Sequence, residues 1–309
     1  MLKIRLANGK VFDGLDAQSI LDSARQQGVT LKYSCRTGRC GVCKAQLVSG
    51  KTQQIQTEES LSEEEESAGF ILTCCRVATT DVELDIRDLS ELANIKTKTF
   101  PCRIDALAPL TSDVLEVVLR TPPTGKLEFL PGQYVDVIGK DGLRRSYSVA
   151  NAPREDGKVT LHIRRVEKGQ MSRYWFDEAK ENDLLRLEGP LGTFFLRQSK
   201  QTDLVLLATG TGIAPLKAIL EQLATKPTAY SYKRIHLYWG GRTEQDIYWK
   251  PSFADFSLEF TPVLSRVTDG RHRTGYIQNA VIEDGIDLSM SAVYACGSEA
   301  MISSAYEKL

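Results

Sequence analysis

Three cysteines within nine residues, in "YSCRTGRCGVCK" (Tyr33–Lys44), constrain this chain more than any other feature. Cys35, Cys40 and Cys43 are separated by four and then two residues, and Cys74, Cys75, Cys102 and Cys296 bring the set to seven. A chain of 309 residues, 42% hydrophobic and 26% charged, can bury its own cores without disulfide staples. Clustered cysteines, odd in number, therefore point to a metal site rather than a disulfide framework. The start, "MLKIRLANGKVFDG", lacks the basic-then-apolar layout of a secretory signal, and no apolar run nears the ~20 residues of a bilayer span. A cytoplasmic address is expected. The formal net charge of −1 provides no global field for nucleic acid or an anionic membrane surface.

A four-cysteine zinc site usually shows two short pairs, each with two residues between its cysteines, and only one such pair is present. Four residues and then two is the local spacing of a plant-type iron–sulfur loop, which needs a distant fourth thiolate. Gly38 and Gly41 suit a loop that must turn tightly and bring backbone N–H groups to sulfide. The fourth ligand is Cys74 or Cys75. Over roughly its first ninety residues the sequence resembles the plant-type [2Fe–2S] ferredoxin family. There a leucine commonly stands two places before the last cysteine, so Leu72 in "ILTCC" implies Cys74, with Cys75 a buried neighbour.

Three blocks follow along the chain: 1–92, 95–199 and 200–309. In the first, "KIRL" and "KVFD" flank Asn8-Gly9, a hairpin signal. "DAQSILDSARQQG" reads as a helix with Ile20, Leu21 and Ala24 on one face and Gly28 at its end. The strands "CKAQLVSG" and "DVELDI" complete a β-grasp-like plan. The second block has short strands broken by Pro and Gly, such as "LPGQYVDVIG" and "KVTLHIRRV", and predicts an antiparallel β-barrel. The third alternates apolar strands ("DLVLLAT", "RIHLYWG", "SAVYACG") with helices such as "APLKAILEQL", the α/β pattern of a Rossmann-like parallel sheet.

In "RRSYSVAN", strand alternation puts Arg145 and Tyr147 on one face, where a ring can cover a flavin and a guanidinium can pair with a diphosphate. Ordinary strand surface is the plain alternative. "KGQMSRYWFDEA" places Gly169 and Ser172 at the start of a helix, suited to phosphate or to simple N-capping by Ser172. Together these resemble the flavin domain of the ferredoxin–NAD(P) reductase family, with its Arg-x-Tyr-Ser and Gly-x-x-Ser motifs. The resemblance implies FAD, with Tyr147 on the isoalloxazine and Ser148 near its reactive nitrogen. It also implies Arg145, Gly169, Met171 and Ser172 at the pyrophosphate, and His162 and Ile163 beside the flavin. "EGPLGTF" (Glu188–Phe194) resembles that family's barrel-closing turn.

"LVLLATGTGIAPLKAIL" is a strand, a Gly-rich turn and a helix with Pro215 in its first turn. Gly210 and Gly212 admit a pyrophosphate to the helix N-terminus. "TGTGIAP" resembles the nicotinamide domain of the same family, with Thr211 near both ring systems. The same resemblance implies that "YWGGRTEQD" brings Gly240 and Arg242 near the adenosine ribose and that "YACGSEAM" brings Cys296 and Gly297 to the nicotinamide pocket. The implied catalytic set is Tyr147, Ser148, Thr211 and Cys296. Arg242 could meet a 2′-phosphate and Glu244 a ribose diol; NADH is expected over NADPH.

Cluster, flavin and nicotinamide sites in one chain imply a converter. NADH delivers an electron pair, the cluster accepts single electrons, and a flavin handles both. Over nearly its whole length the chain looks most like the CDP-6-deoxy-Δ3,4-glucoseen reductase family, through "YSCRTGRCGVCKA", "ILTCC", "LPGQYVDVI", "RRSYSVANAP", "EGPLGTFF", "TGTGIAP" and "VYACGSEAMI". That resemblance implies electron delivery to a pyridoxamine phosphate-dependent dehydrase in 3,6-dideoxyhexose biosynthesis for surface polysaccharide. The alternatives are the reductase of an aromatic-ring oxygenase, or a redox sensor on the same scaffold. The family continues past its Cys-Gly strand with a fuller helix and a last strand, where this sequence ends at "SSAYEKL". Glu63–Glu66, with Glu58 and Glu59, read either as a docking handle or as a solvated helix face. Trp239 and Trp249 read as packing residues, and His162, His236 and His272 show no metal-ligand spacing.

Overall fold

The computed structural model describes residues 2–123, 125–139, 142–198, 200–226, 230, 232–267 and 270–309. The chain divides into two compact units, Met1–Lys96 with Gly192–Phe194, and Thr97–Leu191 with Phe195–Leu309.

In the first unit, "LKIRL" forms β1 (Leu2–Leu6) because its alternation buries Ile4 and Leu6 and leaves Lys3 and Arg5 outside. Gly9, at φ +81°, turns the chain into β2 (Val11–Gly14). Helix α1 (Ile20–Gln26) starts where Ser19 accepts from the Asp22 N–H, and it stops before Gly28 at φ +72°. Strands β3 (Lys44–Ser49) and β4 (Thr52–Gln54) precede α2 (Glu63–Ser67), and β5 (Phe70–Leu72), β6 (Arg76–Ala78) and β7 (Val82–Leu84) follow it. Five of these form a sheet in the order β2-β1-β7-β3-β5, in which only β1 and β7 are parallel; β4 pairs with β6. Ile4, Leu6, Ile20, Leu21, Leu72 and Leu84 lie in one core. Each such side chain contributes about 1.5–3 kcal/mol on burial, so Ile4→Ala would cost about 2–5 kcal/mol. The segment Gly192–Phe194 joins this unit through Tyr33: the Tyr33 N–H donates to Thr193 Oγ1 at 2.9 Å, and the Gly192 N–H donates to the Tyr33 hydroxyl at 3.0 Å.

The structure corrects the reading of the acidic segment. Glu58 is buried, its carboxylate accepting from the Leu72 N–H and from Arg76, each at 2.6 Å. It ties β5 to β6 and belongs to no docking face. Glu59 is exposed and pairs with Arg39 at 3.3 Å, and Glu63, Glu64 and Glu66 are exposed on α2, where Ser62 and Glu65 form a capping box.

The second unit begins with β8 (Lys98–Pro109), β9 (Val114–Arg120), β10 (Tyr134–Ile138), β11 (Arg144–Ser148) and β12 (Val159–Arg164). After α3 (Gln170–Arg173), which runs into a π-turn over Tyr174–Glu178, comes β13 (Leu184–Leu191), with a cis Gly189-Pro190 bond. The order β11-β10-β13-β8-β9-β12 is antiparallel throughout. A bridge between Val149 and Leu161, with the Ala150 N–H on the Thr160 carbonyl at 2.8 Å, closes it into a barrel. Alternate strand residues such as Val117, Val135, Val137, Leu161 and Leu187 fill the interior.

Beyond the barrel lie β14 (Asp203–Thr209), α4 (Ile213–Thr225), β15 (Arg234–Gly241), β16 (Leu258–Leu264), β17 (Arg273–Thr274), α5 (Ile277–Glu283), β18 (Ser291–Cys296) and α6 (Glu299–Lys308). The sheet runs β17-β16-β15-β14-β18 and is parallel throughout. "DLVLLA" is buried without a break, as a central parallel strand covered on both faces must be. Strand order reverses at β14, with β15 on one side and β18 on the other. Such a switch point opens a crevice at the carboxyl ends of the strands.

Candidate functional site

In the first unit the cysteine loop sets its sulfurs in two pairs. The Cys35 N–H donates to Cys40 Sγ at 3.5 Å, and Cys43 Sγ stands 3.3 Å from Cys74 Sγ. In each pair one thiol is pulled towards the thiolate, Cys35 by its hydrogen bond with Cys40 and Cys74 by its bond with Cys43. Among the described residues, no three His, Cys, Asp or Glu side chains are arranged around one ion. Two thiols and then two more is the donor set of a two-iron cluster, in which each iron takes two protein sulfurs. Gly38 holds φ +79°, and a Cβ there would overlap the Thr57 carbonyl; Gly41 holds φ +67°. Cys75 Sγ lies 3.5 Å from Cys74 Sγ, and its thiol donates to the Thr57 carbonyl at 3.6 Å.

In the second unit the crevice at the switch point is a cavity of about 940 Å³ between the sheet's carboxyl edge and barrel strands β11 and β12. Among its lining are Tyr147, Ser148 and His162 from the barrel and Gly210, Thr211, Gly212, Gly240, Arg242, Cys296 and Gly297 from the sheet. Gly212 is required there, because a Cβ would run into the Cys296 carbonyl. Burial pushes the Cys296 thiol up to about 11, so it stays neutral near pH 7. Tyr147 is braced edge-on by Trp175, whose indole Nε1 donates to the Tyr147 hydroxyl at 2.9 Å.

Five residues expected at cofactors lie outside this lining. Arg145 is exposed on β11, with its guanidinium on the Arg144 carbonyl at 2.7 Å. Ile163 follows His162 on the strand and so turns into the barrel core, where Met171 joins it. Both side chains are buried there. The helix N-cap is Gly169 rather than Ser172. Ser172 sits within the first turn, and its Oγ accepts from the Val166 N–H at 2.7 Å.

Sequence reasoning missed the polar frame of the cavity. Arg164, at the end of β12, pairs with Asp246 at 3.2 Å and Asp113 at 3.7 Å, while Arg242 pairs with the same two carboxylates at 2.9 and 3.4 Å. Burial would raise the Asp246 carboxyl, but hydrogen bonds from Arg242 and neighbouring backbone hold it down to about 2. The Tyr248 hydroxyl lies 3.2 Å from His162 Nδ1, and its ring stands edge-on to Trp239 at 5.0 Å. Trp239 packs, as expected, and also donates from Nε1 to the Gly210 carbonyl at 3.0 Å. Glu244 pairs with His272 at the exposed edge.

Paired thiols in one unit and a switch-point crevice against a barrel in the other define a nicotinamide- and flavin-type redox protein with an iron–sulfur module. Family models agree: a 2Fe-2S iron-sulfur cluster binding domain matches residues 6–79, an oxidoreductase FAD-binding domain 101–196, and an oxidoreductase NAD-binding domain 206–307. The chain is 41% identical over 305 residues to a CDP-6-deoxy-L-threo-D-glycero-4-hexulose-3-dehydrase reductase of Yersinia pestis, covering 96% of this chain and 90% of that one. It is 37% identical over 298 residues to Protein RfbI of Salmonella typhimurium, covering 94% and 86%. Among solved structures, the cytochrome P450 reductase GcoB of Amycolatopsis matches with a TM-score of 0.74 at 29% identity, over 100% of this chain and 94% of that one. The chain belongs to the ferredoxin reductase-type family of iron–sulfur flavoproteins. It is an oxidoreductase that moves electrons between NAD(H), FAD and a [2Fe–2S] cluster and serves a protein acceptor. Among the described residues, no helix is long and apolar enough to cross a membrane.

Proposed function

We propose that the chain is an NADH-dependent reductase that passes electrons from FAD through the cluster to a pyridoxamine phosphate-dependent dehydrase of 3,6-dideoxyhexose biosynthesis, in the cytoplasm. The observation that carries this reading is 41% identity, over nearly the full length of both chains, to the Yersinia dehydrase reductase. The structural likeness to GcoB supports the second reading, an oxygenase reductase.

The domains are taken as 1–92 for the cluster, 95–199 for FAD and 200–309 for the nicotinamide, in keeping with the spans of the three family matches. Cys35, Cys40, Cys43 and Cys74 hold the cluster, which supplies single-electron storage when bound; the closeness of Cys74 to Cys43 supports this set. Tyr147 covers the flavin ring and Ser148 faces it, and Arg145 with the Gly169–Ser172 backbone receives the diphosphate. His162 lies beside the ring. Gly210, Thr211, Gly212, Gly240 and Gly297 let the coenzyme approach the backbone, while neutral Cys296 lines the nicotinamide pocket without adding charge. NADH is favoured because the Arg242 guanidinium is already engaged by Asp246 and Asp113, leaving it poorly disposed to a 2′-phosphate.

The test is anaerobic turnover with NADH, a pyridoxamine-dependent CDP-sugar dehydrase and its 4-keto-6-deoxy substrate, following NADH and sugar product together. Stoichiometric NADH loss with a 3-deoxy product supports the dehydrase. Dye reduction without sugar product removes that partner and turns the search to oxygenases.

A further inference from the structure

We propose that Gln56 is a positioning residue for the cluster: its side-chain amide fastens the cysteine loop to the fourth-ligand strand and donates to the sulfur of Cys74, raising the cluster's reduction potential. This rests on Cys74 being a ligand, and not on which protein accepts the electrons.

Gln56 follows β4, whose pairing with β6 puts Gln54 opposite Arg76. The ladder is extended by the Ile55 N–H on the Cys75 carbonyl at 2.8 Å, which fixes the backbone beside the Cys74-Cys75 pair. From there Gln56 Nε2 reaches the Arg36 carbonyl and the Cys74 carbonyl, each at 3.1 Å. Two carbonyls at that distance require the nitrogen, not the oxygen, of the amide to face inward. The amide carries two hydrogens, so with both carbonyls served the sulfurs, Cys75 Sγ at 3.3 Å and Cys74 Sγ at 3.8 Å, share them in bifurcated bonds. Arg36 lies between Cys35 and Cys40 and holds φ +60°, an uncommon conformation for a side-chain-bearing residue, and the Gln56 amide bonds that turn directly. One side chain therefore spans both parts of the ligand set.

An N–H directed at a ligand sulfur stabilises the state with more negative charge on that sulfur. Reduction adds one electron to the cluster, so such a donor favours the reduced form. Gln56 is exposed and Cys74 Sγ is its longest contact, which keeps the effect modest. Removing the donor is expected to shift the reduction equilibrium about fivefold towards the oxidised form, about 40 mV lower at 59 mV per tenfold for one electron.

The experiment is an EPR-monitored redox titration of the holoprotein, comparing parent, Gln56→Leu and the neutral, similarly long Gln56→Met, with iron and sulfide analysed in each. A lower midpoint in both variants at full cluster content supports the proposal. Unchanged midpoints at full content overturn it. If Gln56→Leu loses cluster, the Met variant decides: an unchanged midpoint there reduces Gln56 to a structural tie and overturns the electronic role. As a check on the ligand set, Cys75→Ser must keep the parent's EPR line shape; a changed line shape would place Cys75 on the iron and overturn the geometry on which the proposal rests.

Discussion

The indole of Trp239 donates to the Gly210 carbonyl at 3.0 Å, so a buried side chain of the second sheet strand holds the loop that follows the first. A hydrogen bond of this kind is worth about 1 kcal/mol net. Trp239→Phe keeps a ring in place and removes the donor. NADH affinity, measured by equilibrium titration, is expected to fall about fivefold, with flavin content unchanged.

Gly212 gives a sharper outcome. A Cβ there meets the Cys296 carbonyl, a backbone atom that cannot swing aside. Gly212→Ala should raise the KM for NADH by more than about tenfold, one decade being about 1.4 kcal/mol. FAD absorbance and iron content should stay at parental levels, since neither centre lies on that loop.

The proposed preference for NADH rests on the carboxylates around Arg242. Asp113→Asn removes one of the two negative partners of that guanidinium and leaves Asp246 in place. The ratio of kcat/KM for NADH over NADPH is expected to fall several-fold, through a lower KM for NADPH. An unaltered ratio would show that Arg242 does not face the 2′ position.

Asp246 makes the second unit acid-sensitive. Its carboxyl is lowered from 3.8 to about 2, so the ionised form is bound more tightly in the folded state than in the unfolded chain. The contribution, about 2 kcal/mol, is fully present above about pH 4 and is lost as pH falls from about 4 towards 2. Urea midpoints taken across that window should drop for the parent and stay flatter for Asp246→Asn.

How much of this was legible in the sequence depends on how far apart the partners lie. The cysteine spacing and "TGTGIAP" could be read directly, because thiolate cages and phosphate-binding turns demand particular residues within a few positions of each other. The barrel and the parallel sheet followed from strand length and from whether apolar residues alternate or run unbroken, as in "DLVLLA". Strand phase was harder: His162 and Ile163 are neighbours, yet only the first faces the cavity, and nothing local says which. Glu58 looked like part of a charge run because its partner, Arg76, comes from β6, beyond the acidic helix. Asp113, Arg164 and Asp246 come together only when the barrel and the sheet pack within one unit. Each looks like an ordinary surface charge in one dimension.

The most direct test of the account is to add NADH anaerobically to the purified holoprotein and record flavin absorbance together with the low-temperature EPR spectrum. The account predicts flavin bleaching accompanied by a reduced [2Fe–2S] signal approaching about one spin per chain. Bleached flavin with no such signal, in protein shown to contain about two irons per chain, would contradict it.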